Sequence, residues 1–119
     1  MSREDCLHLL AGADLARVVL SVRALPAALP ARISLVDDDH LLLVSHEDAV
    51  ILAARRGDVI SVQIDGLEGD GSTWSVMTSG IASSGDATVQ LRSSMREAVD
   101  NGAALLQIPL SVLVGQRSR

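Results

Sequence analysis

The chain has 119 residues, 48% of them hydrophobic and 21% charged, and a formal net charge of −5. That length points to one domain spanning residues 1–119, and the apolar content is enough to bury a core. The acidic balance excludes a general phosphate-backbone binder, so no nucleic-acid partner is expected. Trp74 is the only residue among Phe, Tyr and Trp. The core must therefore be built from aliphatic side chains, and a ring-stacking platform for single strands is excluded.

Cys6 is the only cysteine, so no intrachain disulfide can form. It lies among Leu7, Leu9 and Leu10 and reads as a buried structural thiol. No Cys/His cluster has metal-ligand spacing, so no metal is expected. The start Met-Ser-Arg-Glu-Asp lacks the basic, apolar character of a signal peptide. No stretch approaches the roughly 18 apolar residues of a membrane span. A cytoplasmic protein with no membrane partner is the expectation.

In chain order, Ser2 reads as a cap for a short helix ending near Gly12, with Glu4 and Asp5 in its first turn. Residues 16–22 (ARVVLSV) are β-branched and read as a strand. A second strand is expected from about Ala27 to Val36, with Pro26 and Pro30 near its start. Proline lacks a ladder donor, so this strand should begin at an edge or carry an irregularity. Asp37-Asp38-Asp39 forms a turn, and Leu41 to Ser45 returns as a hairpin partner.

Ser45 is then placed to cap a helix through Arg56, with Gly57 as its stop. Residues 59–65 (VISVQID) alternate as a strand with one apolar face. Gly66 to Ser72 reads as a loop. Thr73 to Ala82 follows as a strand in which Gly80 marks a bulge or a close backbone approach. Asp86 to Asn101 has helical periodicity through Leu91, Met95, Ala98 and Val99, with Asp86 as its cap. The last strand, Ala104 to Val114, is interrupted by Pro109 and leaves a polar, basic tail. About six strands and three short helices result. A mainly β, antiparallel barrel with helices at its rims fits this order.

Catalytic side-chain constellations are absent from the sequence pattern. His8, His40 and His46 fall in three different elements. Asp37, Asp38 and Asp39 lack the spacing of a calcium loop, and GLEGDG lacks the Lys and Ser of a nucleotide P-loop. Ser45-His46-Glu47-Asp48 opens a helix after a strand, which is an anion site in principle, although Glu47 and Asp48 themselves complement the helix dipole.

Three patterns in order carry a resemblance. They are LLAGADLARVVLSVRALPAALPARISLV, then RRGDVISVQID with a Gly-rich loop and TWSVMTSGIA, then LLQIPLSVLVGQR. Together they resemble the pyridoxamine 5′-phosphate oxidase-like family of flavin-binding split barrels, short actinobacterial type. The resemblance implies a six-stranded Greek-key split barrel that forms a homodimer with FMN, or a deazaflavin, at the subunit interface. It places the flavin ring against Arg32, Ile33 and Ser34, and the phosphate at the turn Ser45-His46 through Val50. It nominates Ser75, with Trp74 beside it, and Arg117 near the end of the partner's last strand. The implied function is that of an oxidoreductase acting on a small molecule, with redox chemistry supplied by the flavin.

The chain departs from the family at the phosphate turn. Positions that carry Arg, Gly and Lys or Arg in the family hold Val44, Asp48 and Val50 here. A charge-assisted bond to phosphate contributes about 1.5–3 kcal/mol, so losing two weakens binding by about a hundredfold or more. A split-barrel dimer without flavin, serving as a binding or structural module, is the alternative expectation. Pyridoxamine 5′-phosphate oxidation itself is not expected, because no basic substrate-phosphate cluster is visible.

Overall fold

The computed structural model describes residues 1–119. Helix α1 (Arg3–Ala11) precedes strands β1 (Leu15–Val22), β2 (Leu25–Leu35) and β3 (His40–Ser45). Helix α2 (Asp48–Arg56) leads to β4 (Val59–Leu67) and β5 (Thr73–Ile81). A two-residue strand β6 (Ser83–Ser84), helix α3 (Ser93–Asp100), β7 (Ala104–Pro109) and β8 (Leu113–Ser118) complete the chain. All strand pairs are antiparallel, in the order β6-β7-β3-β2-β1-β4-β5-β8.

Strands β1, β2 and β3 follow one another as neighbours, and β4 then returns beside β1 through α2. That spatial order is a Greek key. Strands β7 and β8 are halves of one expected strand. The chain bends after Pro109, leaves β3 and pairs with β5 at the opposite end of the sheet. The sheet therefore curls on itself. The expected six strands become eight segments because the last is split at this bend and β6 is added.

The closure explains two punctuation residues at once. A Cβ at Gly80 would lie 3.0 Å from Cγ of Pro109, so glycine permits the close approach. The Thr78 hydroxyl donates to the Pro109 carbonyl at 2.9 Å, and the Ser79 N–H donates to Val112 O at 3.2 Å. Inside the curl, alternate residues build an aliphatic core that includes Val18, Ile33, Leu41, Leu43, Ile60, Val62, Val76, Ile108 and Leu110. Helix α1 adds Cys6 and Leu10 to it. The buried free thiol matches the sequence reading.

A second, smaller apolar layer lies on the other face of β3. Leu42 and Val44 point away from the main core and are covered by Met95 of α3. Leu91, Ala98 and Val99 pack around them, as the helical stripe requires.

Several expected boundaries move. Strand β2 starts at Leu25, because Arg23 and Ala24 make a two-residue turn with both φ positive, at 52° and 63°. Pro26 and Pro30 pair across from Ser21 and Arg17 of β1, while β3 pairs only from Arg32 onward. Both prolines thus lie where one edge of β2 is open, as a residue without a ladder donor requires. Ser45 does not cap α2. Its hydroxyl accepts from the Glu47 N–H at 3.0 Å, and Glu47 is the cap residue.

Asp86 does not cap α3 either. Its carboxylate is taken by the backbone and hydroxyl of Thr88, at 2.9 and 2.6 Å, in a local turn that competes with helix. The helix starts later, at Ser93. The expected polar tail is strand β8 as far as Ser118, templated by β5.

Candidate functional site

The residues nominated at the β2 and β3–α2 segments converge. Arg32 pairs across from Val44, which brings it beside Ser45 and His46. These residues, with Leu15, Pro30, Glu47 and Ala98 of α3, line a cleft of about 260 Å³. One wall is the turn between β3 and α2. The other is α3, which ends the cleft on that side.

Ser45 is nearly fully buried, while His46 and Glu47 are exposed at the rim. Helix α2 has no side-chain cap; the Val50 and Ile51 N–H groups both donate to Glu47 O at 3.1 Å, and those of Asp48 and Ala49 have no partner within the chain. Glu47 and Asp48 stand at the same turn, and Arg32 is the only cation lining this cleft. A phosphate dianion seated there meets two carboxylates.

Ile33 and Ser34 are placed differently. The Ile33 side chain is in the core, and its N–H donates to Asp14 O at 3.1 Å. Its carbonyl accepts from Arg92, which also donates to Ala13 O and pairs with Asp14. Arg92 thus bridges the start of α3 to the entry of β1, and main-chain Ile33 is already engaged. Ser34 is half-buried opposite Leu42.

Ser75 lies at the far end of the sheet's outer side, and Trp74, its neighbour in β5, turns toward the core side at the same end. Trp74 packs partly against the core, with its indole resting on Gly66, where any Cβ would overlap the ring. Ser75, Gln63, Asp65 and Gln116 surround a second cleft of about 370 Å³ beside it. The Gln63 amide donates to Asp65 at 3.0 Å. Arg117 is directed elsewhere: its Nε pairs with Glu68 at 3.0 Å, near Asp70 and Arg119. Within one chain it does not join Ser45 and Arg32.

A third cleft of about 230 Å³ joins the first two. It shares Leu15 and Pro30 with the Ser45 end and Gln63 and Asp65 with the Ser75 end. The three form one groove across β2, β1, β4, β5 and β8. Small-molecule sites occupy about 300–1,000 Å³. The separate clefts lie at or near the bottom of that range, and the joined groove falls well inside it.

Sequence reasoning did not single out Arg17, Gln63, Asp65 or Gln116 as groove residues. Arg17 was legible in principle, as a cation at an outward position of an otherwise apolar strand. Its relation to Arg32 appears only with the register that sets Arg17 opposite Pro30 and Leu15 opposite Arg32. The four aspartates with depressed pKa values, Asp5, Asp37, Asp70 and Asp86, all lie outside the groove and are held down by local hydrogen bonds.

The fold has solved counterparts. An FAD-binding protein from Mesorhizobium loti superposes with a TM-score of 0.80 at 17% identity, covering 100% of this chain and 96% of that one. The FAD-binding protein from Mycobacterium smegmatis gives 0.70 at 20% identity, with 100% and 98% covered. The FAD and heme binding protein from Mycobacterium smegmatis gives 0.74 at 19% identity, with 99% and 72% covered. At these identities the likeness concerns the fold. No curated protein sequence matches the chain. The family model described as pyridoxamine 5′-phosphate oxidase matches residues 2–105. With the curled Greek-key sheet and rim helices on the page, that match identifies the chain as a member of the pyridoxamine 5′-phosphate oxidase family.

Proposed function

We propose that this protein binds a flavin nucleotide in the outer groove and acts, as a homodimer, in the oxidation or reduction of a small molecule. The observation that carries the reading is the continuous groove from Arg32, Ser45 and His46 to Trp74 and Ser75. Family membership supports it, and so do the FAD-binding neighbours of the same fold. The bound flavin would supply the electron-transfer chemistry. The chain's part is to hold and orient it: Arg32 through charge, Ser45 and Ser75 at the two ends, and Asp65 and Gln116 through hydrogen bonds.

A second copy of the chain fits the remaining outer surface. Val59 and Ile81 form an exposed apolar pair, as do Met77 and Val114, with Val112 close by. Such a patch on the open side of a sheet marks an interaction surface. A dimer packed there would cover the groove and bring in the partner's last strand. That is the setting in which Arg117 would contribute.

The non-catalytic alternative is favoured by one observation, the acidic β3–α2 turn. Purified protein supplemented with FMN, FAD and a deazaflavin decides between them. The flavin reading expects a dimeric mass and a flavin absorbance band that stays with the protein through gel filtration. Free flavin eluting apart from a colourless protein, for all three compounds, supports the module reading instead.

A further inference from the structure

Five arginines are engaged by carbonyls or carboxylates: Arg3, Arg92, Arg96, Arg117 and Arg119. Two more, Arg55 and Arg56, occupy the last turn of α2, where cations complement the helix dipole. Arg23 stands in the turn between β1 and β2. Arg17 and Arg32 have no such role. Both are exposed, both face the groove, and neither makes a hydrogen bond or an ion pair.

Their placement is specific. Arg17 pairs across from Pro30, and Arg32 lies two residues further along the same strand. They are therefore diagonal neighbours on one face, about 7–8 Å apart at the backbone. Like charges so placed repel each other; Asp65, two residues beyond the Gln63 that faces Arg17, lines the same cleft, but its carboxylate accepts from the Gln63 amide and forms no ion pair with either arginine. Arginines rooted at that spacing are long enough to converge on two linked phosphates, each fork taking one bidentately. Leu15 and Pro30, between them, provide an apolar floor.

The geometry points to Arg17 and Arg32 as a diphosphate-binding pair at the middle of the groove, so that the ligand is a dinucleotide rather than a mononucleotide. This rests on the flavin reading and names which flavin it would be. It also accounts for the acidic β3–α2 turn. A mononucleotide would end its phosphate at Glu47 and Asp48, whereas a diphosphate held between Arg32 and Arg17 sits toward β1, with Glu47 but not Asp48 lining the Arg32 end. The groove crosses β2, β1, β4, β5 and β8, four strand spacings or about 19 Å. That leaves room for a base on each side of the arginine pair.

The test titrates wild type, Arg17→Gln and Arg32→Gln with FAD, FMN, riboflavin and ADP, following Trp74 fluorescence and thermal shift. Thermal unfolding without ligand checks that the variants fold. Wild type should bind FAD more tightly than FMN. Each variant should weaken FAD and ADP by about 10- to 100-fold and leave riboflavin unchanged, and added salt should weaken FAD in wild type more than in the variants. Equal affinity for FAD and FMN, unmoved by either substitution, overturns the diphosphate pair and leaves the flavin reading standing. Arginine-dependent binding of ADP with no binding of any flavin keeps the pair and overturns the flavin reading. No binding of any of the four overturns both.

Discussion

The two flanks of the sheet's outer side are treated differently by the same chain. On the β3 flank, Leu42 and Val44 face outward and are roofed by α3, whose Met95 is almost fully buried against them. On the β4–β5–β8 flank, Val59, Met77, Ile81 and Val114 face outward with nothing over them. The alternation of the strands is equal on both. What differs is whether the chain carries its own cover. An outward apolar residue under a helix belongs to the fold, whereas an uncovered row beside a groove is the surface to which the proposed dimer assigns a partner. The groove begins where the roof ends, at Ala98 of α3.

The strongest way to break this comparison is a matched pair of truncations. Met95→Ala removes a buried side chain from beneath the roof and should cost about 2–5 kcal/mol in denaturant unfolding. Met77→Ala, on the bare flank, should cost less than about 1 kcal/mol in dilute protein. It should shift the monomer–dimer equilibrium toward monomer in sedimentation. Equal losses of stability would remove the distinction between the flanks.

The open edge of β2 sharpens the comparison with a gain. Arg23 and Ala24 hold left-handed conformations that Asn and Gly adopt more readily. The double substitution Arg23→Asn, Ala24→Gly should raise stability by about 1 kcal/mol, read as a higher denaturation midpoint. Flavin affinity should not change, because the turn lies away from Arg17 and Arg32.

The smallest effect is pH-dependent and lies outside both flanks. Asp5 is held below the ordinary aspartate range by the Ser2 N–H and hydroxyl, and Asp37 by the N–H groups of Asp39 and His40. Asp70 is held down by the hydroxyl and N–H of Ser72, and Asp86 by those of Thr88. A carboxylate whose folded pKa is depressed stabilises the fold above its unfolded pKa and loses that contribution as pH falls through the folded value. The melting temperature should therefore be flat above about pH 5 and fall below the usual aspartate value of 3.8. Asp86→Asn should reduce that acid sensitivity slightly, since its partners, the Thr88 hydroxyl and N–H, remain.

Much of the fold was legible because local signals agreed with the global answer. Ser2 and Asp5 form the capping box that their spacing announces, and Gly57 ends α2 with φ at 72°. Gly80 and Pro109 were readable as irregularities, but not as partners. Only the closing of the sheet brings them together, and that contact spans distant parts of the chain. The turn at Arg23 and Ala24 carries no Gly or Asn, so its hairpin is imposed by the paired strands rather than by turn chemistry. The tail was read as polar because Gln116, Arg117 and Ser118 offer no apolar alternation. Its strand is fixed by β5 and by the pairing of Arg117 with Glu68.

The candidate site was legible in pieces. Arg32, Ser45 and His46 were nominated through the family pattern, and the structure brings these three together. Trp74 and Ser75 were nominated likewise and lie at the other end of the groove. What joins the two ends is Leu15, Arg17, Gln63 and Asp65, whose adjacency comes from strand register. No pattern within a single segment could reveal it.

The most direct test uses the scarcity of aromatic residues. Trp74 is the chain's single tryptophan, with no tyrosine or phenylalanine beside it, and it stands at one end of the groove. Titration with FAD should quench its emission saturably, with one flavin per chain. Emission that stays unquenched as FAD is raised far above the protein concentration would contradict a flavin seated in this groove.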